Sequence, residues 1–557
     1  MNTKKATFPS YLIFSFGAIL GAIVFIWLFG TAIIDPSNTS WIFAHPDDST
    51  QHHLGWAFYR NTPWTFPICM TEGLTCNELV SCMYTDSIPI FAIIFKLLSP
   101  LLPDTFQYLG IWGVVCFALN GGFAALLLSR IKNNIIFTSL CSLFYTLFFP
   151  SINRITHHNS LGAIWLIMIA LILTIDHDRK YKHSFTPMIL WSVICVLATL
   201  IHIYFIPMLY FVMLGYGILL IFKDKQLKRA IITFASSTFS AILSLFVIGA
   251  FEGKSSYADG GYGIYSANVN TFFNSMGHSK YIRQLSTTQG QYEGYGYLGL
   301  GMLVCCFLGV IIALNKLDSK HDGLIKSAKA YIRKHKIELI ASGAVFAVSF
   351  LWAMTTTIAC NEKVIINIPI PHKLVMALGV FRATGRFIWL PCLIVMTTAI
   401  WLVTKLNKRS AAAALTICVW LQYMDMRNYR AELYEEYGHI HDVPQNVSAE
   451  EWEMLSDGVS ELVFLPLVPE YHDYMQMYFE LGNLAAQDKL KLSSFYLARS
   501  DHESIIKYAD DQYEMLTSGN GRTDALYVFF NEESVPKKLK NFEMYKVGDY
   551  IFGRVKK

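Results

Sequence analysis

Long runs of apolar residues, separated by short polar loops, dominate the first three quarters of the chain. A helix that crosses the hydrocarbon core of a bilayer needs about 20 apolar residues. The pattern predicts eleven membrane-spanning helices, near residues 11–34, 106–128, 135–150, 160–175, 187–201, 204–222, 230–250, 296–314, 338–358, 387–404 and 410–424. We therefore expect an all-α polytopic membrane domain over residues 1–425.

Basic residues at the ends of these runs indicate an orientation, because cytoplasmic loops carry an excess of Lys and Arg. The N-terminus and alternate loops carry them: Lys4 and Lys5; Arg130 and Lys132; Arg179, Lys180 and Lys182; Lys223, Lys225, Lys228 and Arg229; seven between Lys316 and Lys336; and Lys405, Lys408 and Arg409. The alternation holds only if the apolar stretch 88–102 does not cross. That stretch is short and contains Lys96 and Pro100, so we predict an interfacial helix there.

The predicted topology places the N-terminus inside and three long segments outside, at 35–105, 251–295 and 359–386. The second of these is rich in Gly, Tyr and Ser, which suits a mobile loop over a site. From about residue 426, short β-like runs alternate with helical patterns. They predict a small extracytoplasmic α/β or α+β domain over residues 426–557.

Composition supports a membrane protein. Of the 557 residues, 54% are hydrophobic and only 15% charged, whereas soluble proteins have about 25% charged residues. Residues 1–425 contain 31 Lys and Arg against 18 Asp and Glu, and residues 426–557 contain 14 against 23. Because the tail is acidic and the basic residues elsewhere lie in short loops, we expect no nucleic-acid partner.

Recognisable cofactor motifs are lacking: the sequence has no P-loop, no dinucleotide fingerprint and no HExxH spacing. Of the eleven cysteines, seven lie in apolar runs, where Cys usually behaves as a small buried hydrophobe. The other four lie in the outer segments: Cys69, Cys76, Cys82 and Cys360. Two of these four could form a disulfide on an oxidising face, and the sequence does not choose which two.

The first outer segment carries an acidic pair, Asp47 and Asp48, followed by His52, His53 and Arg60 among tryptophans. Carboxylates at a bilayer surface are costly, and burial raises the pKa of a carboxyl toward the range of a general base. The alternative is a solvated turn in which Asp48 caps the following helix. On spacing alone the two interpretations are about evenly matched.

Two further polar clusters lie at outer span ends. The first contains Arg154, His157 and His158, and the next outer turn contains His202. A lone histidine at the end of a span is more often an interfacial side chain than a catalytic one. The second cluster contains His372, Lys373, Arg382 and Arg386. Arginines on the outer side are unusual, because basic residues are normally concentrated in inner loops. Their presence there favours an anionic partner such as a phosphate. The alternative is that their side chains extend to the phosphates of the surrounding lipids.

A long first span, an outer loop with an acidic pair, many further spans and an outer C-terminal domain together resemble the C-superfamily of integral-membrane glycosyltransferases (GT-C), which use polyprenyl-phosphate-linked sugars. The strings DDSTQHHLGWAFYRNTPWTFP, RITHHNSLGAIWLIMIALIL and FRATGRFIWLP are similar to a bacterial family of multi-pass proteins related to those transferases. The resemblance covers most of residues 1–425 in layout, and the tail shows none.

The resemblance implies a catalytic carboxylate at Asp47 or Asp48, with Asp48 favoured. The carboxylate would deprotonate an acceptor hydroxyl in an inverting transfer, and Arg382, Arg386 and Arg154, supported by His157 and His158, would stabilise the leaving lipid phosphate. His52 and Arg60 complete the expected substrate-binding set. Some relatives use a divalent metal; with only one adjacent acidic pair, we expect no obligatory metal or other cofactor here.

We thus expect a transferase of the bacterial inner membrane that passes a sugar from a polyprenyl-phosphate donor to a surface glycan, a lipid-linked saccharide or a protein. Alternatives are a lipid-linked glycan flippase or exporter, an O-antigen-type ligase and an acyltransferase. Transporters usually place polar groups near the membrane midplane, whereas the ionisable residues here cluster at outer ends. The acidic pair after the first span suits a ligase less well. A purely structural role is the weakest alternative.

Overall fold

The computed structural model describes residues 8–76, 78–177, 184–252, 261–318, 324–465, 471–498 and 501–556. Several basic residues used to predict the orientation lie outside the described residues, namely Lys4, Lys5, Arg179, Lys180, Lys182 and Lys320. The described chain consists of a large helical part followed by a small domain built on a mixed sheet.

A segment of short elements follows the first long helix. The elements are α1 (Ser10–Phe29), α2 (Ser40–Ala44), α3 (Asp48–Asn61), the antiparallel hairpin of β1 (Met70–Thr75) and β2 (Glu78–Ser81), and α4 (Pro89–Leu97). Helix α4 has 9 residues, and at about 1.5 Å per residue it is far shorter than the ~30 Å hydrocarbon core. The stretch 88–102 is therefore too short to be a span.

The helices that follow are largely apolar and are interrupted by one hairpin. They are α5 (Leu109–Ser129), α6 (Ile135–Thr146), α7 (Phe149–Thr156), α8 (Trp165–Asp176), α9 (Thr186–Ile201), α10 (Phe205–Ile218), α11 (Leu227–Val247), α12 (Leu300–Asp318), α13 (Leu324–Lys334), α14 (Lys336–Met354), the hairpin of β3 (Thr357–Cys360) and β4 (Lys363–Asn367), α15 (His372–Leu378), α16 (Trp389–Val403) and α17 (Lys408–Asp425).

Among the described residues, seven helical stretches are long and apolar enough to cross a membrane: Ser10–Phe29, Leu109–Ser129, Asn159–Asp176, Phe205–Lys223, Leu227–Val247, Lys336–Met354 and Thr384–Val403. Helices α6 and α7 meet at a 54° bend and give an eighth if they form one broken span. The predicted polytopic helical domain is confirmed. The count of eleven spans stays a prediction, because other apolar helices, such as α9, are shorter.

Glycines hold α1 and α5 together. A Cβ added at Gly21 would lie 2.0 Å from the carbonyl oxygen of Phe117, and one added at Gly121 would lie 2.2 Å from that of Gly17. Small residues let helix backbones approach closely, which is how helices associate where no hydrophobic effect acts between them. This contact holds α1 directly against α5.

The C-terminal domain contains a five-stranded sheet. Its elements are α18 (Arg427–Tyr437), α19 (Ala449–Ser456), β5 (Glu461–Leu465), α20 (Tyr471–Gln487), β6 (Lys491–Leu492), α21 (His502–Ser518), β7 (Ala525–Phe529), β8 (Phe542–Val547) and β9 (Tyr550–Val555). The strand order is β6-β5-β7-β9-β8, with β5 parallel to β6 and β7, and β9 antiparallel to β7 and β8. Strands β5 and β7 are buried along their whole length, so the predicted small mixed domain is present.

This domain packs on α3. The Gln51 amide donates to the carbonyl oxygen of Tyr496 at 2.6 Å, and the Asn61 amide donates to that of Ala486 at 2.9 Å. The helix that begins at the acidic pair is therefore held between the helical part and the C-terminal sheet.

Candidate active site

The acidic pair begins α3, and the two carboxylates do different things. Asp47 is the N-cap: its Oδ1 accepts from the Ser49 backbone N–H at 2.8 Å, and Thr50 completes a capping box. The capping interpretation is thus correct for the pair but applies to Asp47, not to Asp48 as expected. Asp48 is the first helical residue and carries no cap bond. A helix N-terminus also favours negative charge through its macrodipole.

The two histidines that follow α7 face the acidic pair. His157 Nδ1 donates to Asp47 Oδ2 at 2.8 Å, and His158 Nε2 lies 3.3 Å from Asp48 Oδ2. Burial opposes charge on the His157 ring, but the hydrogen bond to Asp47 and its negative charge outweigh burial and raise the His157 pKa. Elements more than 100 residues apart thus form one polar surface.

A buried ion-pair triad lies beside this surface. Arg154 Nη2 donates to Glu293 Oε2 at 2.8 Å, and Arg386 donates to both oxygens of Glu293, at 2.8 Å and 3.0 Å. Burial alone would raise the pKa of the Glu293 carboxyl, but the charges of Arg154 and Arg386 hold it well below its usual range. The Arg386 guanidinium also lies over the Tyr204 ring, 4.8 Å from its centroid.

The acidic pair, the two histidines, Arg154 and Glu293 line one cavity of about 470 Å³. Residues of the Gly- and Tyr-rich segment form the rest of its wall. The full lining is Asp47, Asp48, Asn153, Arg154, His157, His158, Asn274, Met276, His278, Gln284, Thr287, Tyr292, Glu293 and Tyr295. Residues of segment 251–295 line this cavity, whereas its residues 253–260 lie outside the described residues; the mobile loop over a site stays a prediction.

Behind the cavity lies a second group of polar side chains. One ligand-type atom from each of His52, Asp86 and His158 lies within 4.8 Å of the other two. His52 is fully buried, and its Nδ1 contacts Asn159 Oδ1 at 2.9 Å. Asp86 Oδ1 also lies 3.5 Å from His202 Nε2. His158 thus belongs both to the cavity wall and to this inner group.

Other predicted site residues do not line the cavity. Arg60 donates to Ser99 Oγ and to the backbone oxygens of Pro103 and Asp104, so it ties down the loop after α4. Arg382 is exposed, and its guanidinium carbon lies 5.9 Å from the centroid of the Tyr265 ring. The exposed His372 and Lys373 are also outside the cavity. Arg386 lies one layer behind the wall, joined to it through Glu293.

The charge arrangement limits what the arginines can do. Asp47, Asp48 and Glu293 are three carboxylates, and Arg154 and Arg386 already share Glu293. An incoming phosphate would therefore meet a triad with a net charge of only +1 beside two aspartates, and Arg154 is the only one of the predicted phosphate-binding arginines in the described cavity lining.

Sequence reasoning did not identify Glu293 or Asp86. Glu293 stands between Tyr292 and Gly294 and is one of three acidic residues in segment 251–295, so an isolated acid in an apolar, Gly-rich loop was a usable signal. Asp86 follows a short turn, Cys82–Thr85, and takes the left-handed conformation with φ of 51°. No spacing links it to His52 or His158.

A sequence model of the family described as "Domain of unknown function (DUF6311)" matches residues 18–427, and one described as "DUF6311 C-terminal domain" matches residues 451–555. Among curated proteins, none matches the chain.

Proposed function

The chain belongs to the DUF6311 family, and from its site we propose that it is a membrane glycosyltransferase that moves a sugar from a polyprenyl-phosphate donor to a hydroxyl acceptor. The observation that carries the proposal is the single cavity in which Asp48, Arg154 and His157 lie together at the end of the apolar helices. A carboxylate base, cationic side chains and an adjoining membrane are what an inverting transfer from a lipid phosphate needs.

Asp48 is the proposed general base. Its carboxylate lines the cavity, carries no cap bond, and its side chain is 27% exposed, so an acceptor can reach it. The acceptor hydroxyl gives its proton to Asp48 while its oxygen attacks the anomeric carbon. The bond from that carbon to the phosphate oxygen breaks, the lipid phosphate leaves with the electron pair, and the anomeric configuration inverts. Asp47, tied to Ser49 and His157, holds the helix start in place.

The leaving phosphate is proposed to contact Arg154 and the two histidines. The Arg154 guanidinium is held by Glu293 and lies over the Trp389 ring, 5.8 Å from its centroid, which fixes its direction. His157, whose pKa is raised by Asp47, favours the cationic form. Arg386 acts through Glu293 as a positioning residue.

For the membrane arrangement, we retain eleven spans of GT-C type, the N-terminus inside and the cavity and C-terminal domain outside. Helix α3 supports one part of this arrangement, because its first residues line the cavity and its later residues contact the C-terminal domain, so both lie at the same end of the helices. A donor flipped to the outer face of a bacterial inner membrane would then reach the cavity from the lipid.

The experiment compares Asp48→Asn, Asp47→Asn and a control, Asp104→Asn, whose exposed residue lies in the same outer segment but outside the cavity. Each purified full-length variant is incubated in nanodiscs with a panel of polyprenyl-phosphate hexoses and pentoses and membrane glycan acceptors. We expect Asp48→Asn to lose at least about 100-fold in transfer rate, the scale of a general base. Asp104→Asn should retain it.

Asp47→Asn should retain part of the activity, since an amide oxygen can still cap α3. Full activity of Asp48→Asn would overturn the base assignment. Failure of every donor with the wild-type chain, together with movement of an intact lipid-linked sugar across the membrane, would favour a flippase.

A further inference from the structure

We propose that His52, Asp86 and His158 bind one divalent transition-metal ion behind the wall of the cavity. The ligand-type atoms of the three residues all lie within 4.8 Å of one another. Three separate elements supply them: α3, the turn Cys82–Thr85 and the segment after α7. The donor set is two imidazoles and one carboxylate.

His52 is oriented as a metal ligand would be. The Asn159 amide nitrogen donates to the Ile155 carbonyl oxygen at 2.6 Å, which fixes Asn159 Oδ1 as the acceptor that faces His52 Nδ1 at 2.9 Å. His52 Nδ1 therefore carries the proton, and Nε2 keeps a free lone pair. A second-shell acceptor of this kind commonly sets the tautomer of a metal-binding histidine.

Two ring nitrogens in the group are buried without a partner. His52 Nε2 and His158 Nδ1 have no hydrogen-bond partner among the described residues. A buried polar atom without a partner costs about 1–3 kcal/mol, so native proteins rarely keep one. A metal ion would satisfy both nitrogens at once, and His158 could still turn Nε2 toward Asp48, which lies 3.3 Å away.

The ligand set also selects the kind of ion. Imidazole nitrogens favour Zn²⁺, Fe²⁺ and Co²⁺ over Mg²⁺, Ca²⁺ and Mn²⁺, which prefer oxygen ligands. With bonds of about 2.1 Å, ligand atoms on one ion lie at most ~4.2 Å apart, a spacing close to the 4.8 Å limit within which these three atoms lie. Three protein ligands leave a position for water or substrate oxygen, as in catalytic rather than structural sites.

The local charges tolerate such an ion. Asp86 faces His202 at 3.5 Å, and the Arg386 guanidinium is paired with Glu293. Asp48 and Glu293, whose oxygens lie 3.3 Å and 3.8 Å from His158 Nε2, add two further carboxylates beside the group. The sequence-based expectation of no obligatory metal rested on the acidic pair Asp47 and Asp48 alone. It did not include His52 or His158 as ligands.

A role for the ion deepens the proposed function and rests on it. Arg154 and Arg386 share the one carboxylate of Glu293, so the triad offers a leaving phosphate a net charge of only +1. An ion held partly by His158, which lines the cavity, would supply that charge directly.

Metal binding is tested on the purified full-length protein in nanodiscs, stripped with a chelator and titrated with Co²⁺, with Zn²⁺ as competitor. We expect one Co²⁺ per chain, an absorption spectrum of mixed nitrogen and oxygen ligation, and displacement by Zn²⁺. His52→Asn keeps a donor for Asn159 but removes Nε2, and Asp86→Asn removes the charged ligand. Both should weaken binding at least about tenfold. The control His45→Gln, at an exposed histidine, should bind as the wild type does.

Absence of a stoichiometric ion, or equal affinity in wild type, His52→Asn and Asp86→Asn, would overturn the site. Near-ultraviolet circular dichroism on each variant ensures that only folded protein is compared. If His52→Asn does not fold, the affinity of Asp86→Asn alone decides the test. Sugar transfer is measured on the same samples. Metal binding without any transfer would leave the site standing and contradict the proposed function, whereas transfer that survives stripping would leave the function standing and overturn the role of the ion.

Discussion

Arg386 donates two hydrogen bonds to Glu293, from Nε to Oε2 at 2.8 Å and from Nη2 to Oε1 at 3.0 Å. The two residues are 93 positions apart, and both are buried. This bidentate pair links the segment before α12 to the start of α16, and Arg154 joins it from α7. The cavity wall is therefore built on a buried ion-pair triad whose members depend on one another.

Removing the central carboxylate should destabilise the protein strongly. Glu293→Gln leaves two buried guanidinium groups without a charged partner, and breaking a buried pair in this way costs about 3–5 kcal/mol. The matched control is Glu338→Gln, which breaks the ion pair of Glu338 with Lys223; their side chains are 42% and 31% exposed. A pair of this exposure contributes at most about 1 kcal/mol. Thermal unfolding in nanodiscs measures both, and equal effects would show that the triad is not a structural centre.

Arg154 and Arg382 should differ in their effect on the binding of the donor. Arg154→Gln removes a guanidinium that lines the cavity, and a charge-assisted hydrogen bond contributes about 1.5–3 kcal/mol. We expect a 10- to 100-fold weaker apparent affinity for a polyprenyl-phosphate sugar. Arg382→Gln, at an exposed residue over Tyr265, should leave that affinity unchanged. An equal loss in both variants would mean that the phosphate lies elsewhere.

Cys69 and Cys82 are positioned to form a disulfide. They flank the paired ends of β1 and β2, and their sulfur atoms lie 2.9 Å apart, so a bond of about 2.05 Å requires a shift of less than 1 Å. If this segment faces an oxidising compartment, exchange with the disulfide of a partner oxidant would form the Cys69–Cys82 bond, and that disulfide would take up the two electrons and two protons. Mass spectrometry of unreduced peptides should then show Cys69 linked to Cys82. Free thiols at both after isolation without reductant would contradict an outward, oxidised position.

The close contact of α1 with α5 should be sensitive to a single methyl group. Gly21→Ala would place a Cβ 2.0 Å from the Phe117 carbonyl oxygen and force the helices apart, at a cost of about 1–3 kcal/mol. Gly343→Ala in α14 meets no atom within 4 Å and should be neutral or slightly stabilising. Unfolding temperatures of the two variants provide the comparison. A tolerated Gly21→Ala would indicate that the two helices do not pack closely.

The sequence predicted the helical membrane part and much of the cavity wall, because both rest on local signals. Apolar runs identify helices, and the polar clusters at their ends include Asp48, Arg154 and His158, which line the cavity. The sequence also predicted that the acidic pair caps the helix. Which of the two residues is the cap depends on whether the helix begins at Asp48 or one residue later. Such a boundary is the least reliable part of a sequence prediction.

Other features depend on tertiary contacts that no spacing reveals. Glu293 pairs with Arg154 across 139 positions, and Asp86 reaches His52 through a left-handed turn. Arg60 has the right charge and position in the sequence, yet its donors are used by the backbone of the loop after α4. The tertiary contacts of a cationic side chain decide whether it can bind substrate. These contacts cannot be inferred from the local sequence.

The stereochemistry of transfer tests the central claim most directly. Purified protein in nanodiscs is given a polyprenyl-phosphate sugar of known anomeric configuration, and nuclear magnetic resonance assigns the configuration of the glycosidic product. The account predicts an inverted product from the wild-type chain and none from Asp48→Asn. A product with retained configuration, or an inverted product made equally well by Asp48→Asn, would contradict a single displacement assisted by the Asp48 carboxylate.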